Sequence, residues 1–223
     1  MKYLYKMDWA ALQQLVQFDL FLDGWAIFNE GIQYRMDRVK DAYSYQGSLM
    51  EARYNSIVAQ ADRNGIGYNE NEIVTWFDTL TVMYHVFQQM EDEALRDHIV
   101  ILQEYRIPYS NKRADYVLCY DNKILIIEFS FRKLGYELQY ETKLHQAIGY
   151  KELIGNILPK EIDIGTYTYL VDPGLISDSP KVYDLAAYIE KFFNKNIDLA
   201  IKTLTLLDDG NEEDTNSGPH FGQ

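Results

Sequence analysis

The chain of 223 residues carries a net charge of −13 at pH 7, and 47% of its residues are hydrophobic. This length and composition are typical of one globular domain with a sizeable core, while the strong acidity argues against a protein that coats nucleic acid with a basic surface. The sequence contains neither an apolar stretch of about 18 residues nor a signal-peptide layout at its start, so we expect a cytoplasmic protein without a membrane partner.

The first part of the chain has apolar residues at helical spacing. Residues 8–28 are predicted to form a helix with Asp8 as its N-cap. A second helix is predicted over about 37–62, where Asn64-Gly65 supplies a C-terminal stop. Neither helix carries residues with readable chemistry, and we assign residues 1–68 to an N-terminal helical extension.

The pattern then changes to alternating helices and strands. Asn69 or Asn71 is expected to cap a third helix that runs to about residue 92. The following elements are a strand over 98–107, two hairpin strands over 112–120 and 123–130, a helix over about 138–156, a strand over 166–171 and a helix over about 181–204. This order predicts an α/β fold with a mixed sheet flanked by helices. We assign the core to residues 69–205 and a disordered acidic tail to 206–223.

The hairpin is the most informative part of the sequence. Two β-branched and aromatic runs are separated by Asp121-Asn122, which is typical of a two-residue hairpin loop. If these residues form the loop, Tyr120 faces Lys123, and counting outward places Asp115 opposite Glu128. Opposed side chains on antiparallel strands have Cβ atoms roughly 4.5–5.5 Å apart, so the two carboxylates repel each other. A divalent cation between them would remove that repulsion, and the pair is therefore a candidate metal site.

Several segments together resemble the PD-(D/E)XK nuclease superfamily. The resemblance covers roughly residues 70–172 and includes the αβββαβ order of elements. The segments that carry it are Arg113-Ala114-Asp115, Ile126-Ile127-Glu128, Gln146-Ala147-Ile148-Gly149-Tyr150, Glu72-Ile73-Val74-Thr75-Trp76 and Glu104-Tyr105-Arg106-Ile107-Pro108. The segment ending in Tyr150 is similar to the Gln-X-X-X-Tyr motif of the RecB-like exonuclease branch, and the last two look like parts of helicase-associated nucleases.

The resemblance implies a restriction-endonuclease-like core that hydrolyses phosphodiester bonds of DNA, in bacterial defence or repair, with a helicase or ATPase as partner. It implies that Asp115 and Glu128 hold Mg²⁺ or Mn²⁺, which one or two carboxylates suffice to bind. Glu72 or Glu104 would complete the metal site. The residues implied in contact with the nucleic acid are Gln146, Tyr150 and Arg113.

One position departs from the family pattern. The residue two beyond the glutamate is usually lysine, and here it is Ser130, whose hydroxyl carries no charge. One interpretation is that the cation has migrated to Lys143, because residues 143, 146 and 150 share one helix face; Arg132 and Lys133 are the next candidates. The other is that catalysis has been lost and the domain serves as an interaction module.

The acidic candidates also have ordinary structural explanations. Asp115 could pair with Arg113 or Arg106 at a strand edge. Glu72 stands in the first turn of a predicted helix, where the helix dipole favours an acid in any case. Glu104 could be a solvent-facing strand residue, whereas an uncompensated Glu128 after four apolar residues would be costly.

The other candidates have simple alternatives too. Gln146 and Tyr150 are spaced i, i+4 and could be ordinary helix packing. The histidines show no metal-ligand spacing; they include His85, His98 and His145. Cys119 is the only cysteine, which excludes an internal disulfide and a cysteine-based zinc site, and it is predicted to be a buried thiol.

Overall fold

A computed structural model describes residues 2–21, 48–131, 136–171 and 180–208. Its centre is a five-stranded sheet with the strands in sequence order. The strands are β1 (Tyr5–Met7), β2 (Val100–Arg106), β3 (Arg113–Tyr120), β4 (Lys123–Phe131) and β5 (Asp163–Val171). Neighbouring strands run antiparallel except β4 and β5, which run parallel and are connected through a helix. The predicted α/β fold with a mixed sheet is confirmed.

Helices flank this sheet on both faces. They are α1 (Trp9–Phe21), α2 (Ser48–Asn64), α3 (Glu70–Gln88), α4 (Glu93–His98), α5 (Tyr136–Gly155) and α6 (Pro180–Asp208). The largest hydrophobic cluster joins one face of the sheet to side chains of α1, α3, α4 and α6. A second cluster lies on the opposite face, where Tyr150 and Ile154 of α5 pack on the strands. The face covered by α5 is the one that carries the candidate site.

The start of the chain contributes to the sheet and to the main core. Met7 of β1 and Leu12 of α1 belong to the largest hydrophobic cluster, and β1 pairs with β2. The predicted N-cap of the first helix is confirmed, because the backbone N–H of Ala11 donates to Asp8 Oδ1 at 2.8 Å. The three-residue strand β1 was not predicted, since so short a run has no readable alternation.

The predicted ends of the next two helices differ in accuracy. The stop at Asn64-Gly65 is confirmed, and Gly65 adopts the left-handed φ of +60° that glycine tolerates best. The third helix begins after Asn69, as expected, but ends at Gln88 rather than near residue 92. The reason is local: Asp92 caps the separate helix α4 by accepting from the N–H of Leu95.

Some expectations fall on parts of the chain outside the described ranges. They concern residues 22–28 and 37–47 of the two predicted helices, the candidates Arg132 and Lys133, and the acidic tail from residue 209 onward. Within the described ranges, no helix has the length and apolar character required to cross a membrane.

Candidate active site at the β3–β4 hairpin

The predicted hairpin loop and register are present. Asp121 and Asn122 connect β3 to β4, and Tyr120 pairs with Lys123. Asp121 has a φ of +52°, in the left-handed region that aspartate adopts more readily than most residues. With this register, the two acids predicted to face each other lie side by side on the face covered by α5.

Asp115 and Glu128 are fixed in place by each other's strand. The β3–β4 ladder has its last paired residues at Tyr116 and Ile127, one step before the two acids. Beyond that point, the N–H of Asp115 donates to Glu128 Oε1 at 3.0 Å, and the N–H of Phe129 donates to Asp115 Oδ2 at 2.8 Å. Side-chain carboxylates therefore accept backbone hydrogen bonds where the regular ladder has opened, and both acids are held rigidly.

Lys143 of α5 lies between the two carboxylates. Its Nζ is 2.9 Å from Glu128 Oε2 and 3.2 Å from Asp115 Oδ2. Glu128 is fully buried, so a cation at this distance is required if the acid is to be ionised. Lys143 is thus the cation that the structure brings to Asp115 and Glu128.

The electrostatics of this group are strongly coupled. Burial, followed by the nearby charge of Asp115, raises the pKa of Glu128 to about 8, although Lys143 acts in the opposite direction. Burial alone would lower the pKa of Lys143, but the charges of Asp115 and Glu128 outweigh it and raise that pKa above its usual value. Lys143 is therefore a permanent positive charge rather than a base, while Glu128 can exchange a proton near neutral pH.

Glu104 occupies an unusual backbone position next to this pair. The neighbouring pairs in the β2–β3 ladder place Glu104 opposite Asp115. Its φ is +51°, and this left-handed residue breaks the alternation of β2, because Leu102 and Tyr105 both pack in the cluster on the α5 face. Burial, the charge of Asp115 and other neighbours raise the pKa of Glu104 to about 8, against the opposing effects of Arg113 and a hydrogen bond with Trp76.

Arg113 bridges the two remaining acidic candidates. Its guanidinium lies 2.6 Å from Glu72 Oε1 and 3.2 Å from Glu104 Oε2, and it donates to the carbonyl of Gly67 at 2.6 Å. The other oxygen of Glu72 accepts the N–H of Asn69 at 2.9 Å in a capping box at the start of α3. The structure therefore places Glu72, Glu104 and Arg113 in one structural ion-pair group.

Four carboxylates consequently share two cations at this corner of the sheet. Lys143 binds one pair of acids and Arg113 binds the other, and the two groups are joined through β3. When all are ionised, the corner carries a surplus of negative charge. The alternative in which Asp115 pairs with Arg113 or Arg106 does not occur. Arg113 binds Glu72 and Glu104 instead, and Arg106 donates to Asn111 Oδ1 and to the Ser110 carbonyl.

Gln146 and Tyr150 lie one and two turns along α5 from Lys143. Gln146 Nε2 donates to the Tyr150 hydroxyl. Burial and the charge of Glu128 raise the pKa of Tyr150 to about 12, so its hydroxyl stays protonated. Lys112, at the end of the β2–β3 loop, places its Nζ 5.9 Å from the centre of the Tyr150 ring. These contacts orient the side chains of α5 that face the site.

Of the remaining candidates, Ser130 lies close to the acid pair, whereas the histidines and Cys119 have other surroundings. Ser130 is 3% exposed on β4, two residues after Glu128. His98 bonds its own helix through the carbonyl of Ala94, and His145 is exposed. Cys119 is half-buried, and burial raises the pKa of its thiol to about 11, which opposes thiolate reactivity.

Thr168 is a neighbour of the site that sequence reasoning missed. It pairs with Glu128 across the parallel β4–β5 ladder, and its buried hydroxyl has no hydrogen-bond partner among the described residues. A buried hydroxyl without a partner is unfavourable unless something else binds there. The sequence could have indicated this position only through the register of β5 against β4, and that register is set by the crossover through α5.

The donor chemistry of the site fits a hard divalent cation. Asp115 and Glu128 present facing carboxylate oxygens, which are the ligands that Mg²⁺ and Mn²⁺ prefer. Their partners in the expected ligand set, Glu72 and Glu104, are instead engaged by Arg113. In the described part of the chain, no three His, Cys, Asp or Glu side chains form a ready-made metal cluster.

Comparison of the chain with protein-family models, with curated proteins and with solved structures gave no match. The candidate site is therefore defined by the geometry of Asp115, Glu128 and Lys143 alone.

Proposed function

We propose that the protein is a metal-dependent nuclease with a restriction-endonuclease-like αβββαβ core. The observation that carries this proposal is the contact of one helix-borne cation, Lys143, with two facing carboxylates at an opened strand pair. The order of α3, the antiparallel strands β2 to β4, helix α5 and the parallel strand β5 supports the same proposal. It agrees with the arrangement that the sequence resemblance implies.

Asp115 and Glu128 are the residues that would hold Mg²⁺ or Mn²⁺. When bound, such an ion polarises a phosphoryl oxygen and lowers the pKa of a water nucleophile. The two carboxylates are already rigid, because each accepts a backbone N–H from the opposite strand. Rigid ligands favour binding, since little conformational entropy is lost when the site is filled.

Lys143 would provide positive charge beside the reacting phosphate. Its raised pKa keeps the ammonium protonated at any physiological pH, so it can stabilise developing negative charge but cannot act as a general base. This is the task that a lysine at the position of Ser130 would otherwise have. Gln146 and Tyr150 lie on the same helix face and offer neutral hydrogen-bonding groups for a nucleic-acid strand.

Cleavage of labelled DNA in the presence of Mg²⁺ or Mn²⁺ tests the proposal. The wild type should cleave, and the variants Asp115→Asn and Glu128→Gln should lose at least about 100-fold in rate while remaining folded. A matched control is Asp163→Asn, an exposed acid at the far end of the sheet, which should cleave like the wild type. Absence of cleavage of DNA and RNA by the wild type with either ion would contradict the proposal.

A second function is favoured by a specific observation, the uncharged and buried Ser130 beside an acid pair that Lys143 already compensates. In this alternative the domain is a catalytically inactive nuclease-like module that docks on a helicase or ATPase. Thermal unfolding distinguishes the two functions. A nuclease should gain several degrees in Tm with Mn²⁺, and Asp115→Asn should abolish the gain, whereas a silent module should not respond to the ion.

A further inference from the structure

The loop between β2 and β3 holds one aromatic side chain entirely in solvent. Tyr109 is 99% exposed, and its φ of +59° lies in the left-handed region, which costs a non-glycine residue conformational energy. The loop around it is closed by two backbone hydrogen bonds. Ile107 accepts the N–H of Ser110 at 3.2 Å and donates its own N–H to the carbonyl of Lys112 at 3.1 Å. Strain and full exposure of an aromatic residue together indicate a functional position.

A basic groove adjoins this tyrosine. It encloses about 570 Å³ and is lined by Lys2, Arg106, Ile107, Pro108, Tyr109, Ser110 and Asn111. The described lining contains two cations and no carboxylate, in a chain whose net charge is −13. The guanidinium of Arg106 is held by Asn111 Oδ1 at 3.1 Å, so its position in the groove is fixed. The groove is therefore a local exception to the acidity of the protein and is complementary to an anionic chain.

The groove is connected to the carboxylates through the same loop. Lys112 closes the loop and places its ammonium over the Tyr150 ring of α5. Tyr150 accepts from Gln146, and Lys143 follows on the same helix face. Positive charge thus lies at both ends of this loop, on Arg106 in the groove and on Lys112 over Tyr150, three residues before Asp115 in β3.

We propose that this groove binds single-stranded nucleic acid, with a base stacked on Tyr109 and phosphates against Lys2 and Arg106, and that the strand continues past Lys112 at the end of the loop. Stacking on an exposed ring requires the open face of an unpaired base, which a continuous duplex does not offer. Every base has such a face, so the recognition would be tolerant of sequence. This inference rests on the proposed function and specifies its substrate: a single strand, or a single-stranded end, guided to the Asp115–Glu128 pair.

Fluorescence anisotropy with a labelled oligothymidylate of roughly 12 nucleotides tests the proposal on the full chain. Binding is measured in EDTA, and again with Mg²⁺ on the Glu128→Gln background, so that cleavage does not interfere. Tyr109→Ala should weaken binding roughly 5- to 50-fold, whereas Tyr109→Phe should bind like the parent. The control Tyr183→Ala, at a tyrosine of α6 that is 52% exposed, should have no effect.

Tyr109→Gly separates a stacking role from a structural one. Glycine tolerates the left-handed backbone, so this variant should raise the Tm while weakening oligonucleotide binding as much as Tyr109→Ala. If Tyr109 had only a structural role, Tyr109→Gly would not weaken oligonucleotide binding while raising the Tm. Lys112→Gln should reduce the salt dependence of binding, because one phosphate contact is removed.

Three results would overturn the inference. They are equal binding by Tyr109→Ala and the wild type, tighter binding of a blunt duplex than of oligothymidylate, and tighter binding of a polyglutamate peptide. The inference and the proposed function fail separately. A wild type that cleaves DNA without dependence on Tyr109 loses only the inference, whereas binding through Tyr109 without any metal-dependent cleavage removes only the proposed nuclease activity.

Discussion

Lys143 of helix α5 forms a 2.9 Å ion pair with Glu128 of strand β4, on which that helix packs. The carboxylate is fully buried, and the ammonium reaches it from the α5 face of the sheet. Because removal of one partner leaves a buried charge uncompensated, this pair has consequences for both stability and activity.

Replacing Lys143 by methionine should destabilise the protein in a pH-dependent manner. Above about pH 8 Glu128 is charged in the wild type, and without Lys143 this buried acid must either stay charged without a cation or bind a proton. We therefore expect a loss of about 2–4 kcal/mol in the free energy of unfolding. Near pH 5 Glu128 is protonated, and the loss should be much smaller. Urea denaturation at both pH values measures this difference. Lys151→Met, at an exposed lysine of the same helix, should have little effect at either pH.

The raised pKa of Glu128 predicts how the stability of the metal-free wild type depends on pH. Its pKa is about 8 in the folded protein and near 4.5 when unfolded, so the folded state binds the proton more tightly. That contribution is fully present below about pH 4.5 and is lost as the pH rises through about 8. Glu128→Gln should reduce the fall in Tm between about pH 5 and pH 8.5 by roughly 5 °C. Parallel curves for the two proteins would contradict the assignment.

Arg113 is predicted to be a structural residue, in contrast to its expected contact with nucleic acid. Arg113→Leu leaves the buried Glu104 without its cation and should lower the free energy of unfolding by about 3 kcal/mol at pH 8.5. Adding Glu104→Gln should recover much of that loss, because the uncompensated charge is then absent. A double-mutant cycle measures the coupling. Additive effects of the two substitutions would show that the contact is unimportant.

The positions of these residues explain which features the sequence could predict. The register that opposes Asp115 and Glu128 follows from the local turn at Asp121-Asn122, and the reach of Lys143 follows from helix periodicity. Both depend on short-range rules that hold wherever the chain forms those elements.

The surroundings of the site depend on tertiary contacts and could not be predicted in the same way. The pairing of Arg113 with Glu72 requires the docking of α3 beside β3, across 41 residues of sequence. The left-handed backbone at Glu104 interrupts a run that otherwise alternates as a strand. No propensity for glutamate indicates such a conformation, and the position of Thr168 beside Glu128 depends on the crossover through α5.

Moving the cation from helix α5 to strand β4 tests whether the positive charge of Lys143 has the catalytic role proposed for it. Lys143→Ser should reduce DNA cleavage by roughly 100-fold or more. Adding Ser130→Lys restores a positive charge from β4 and should recover at least roughly tenfold of the loss. Initial rates with Mg²⁺ measure this, with Tm as the check on folding. Folded double variants that show no recovery would indicate that the position of the charge, rather than its presence, determines the rate.

A crystal structure of the protein soaked in Mn²⁺, with the ion located by anomalous scattering, tests metal binding by Asp115 and Glu128 most directly. We expect an anomalous peak bound by carboxylate oxygens of both Asp115 and Glu128, and Lys143 displaced from at least one of them. The contradicting result is a structure in which Lys143 still binds both carboxylates and no ion lies between them.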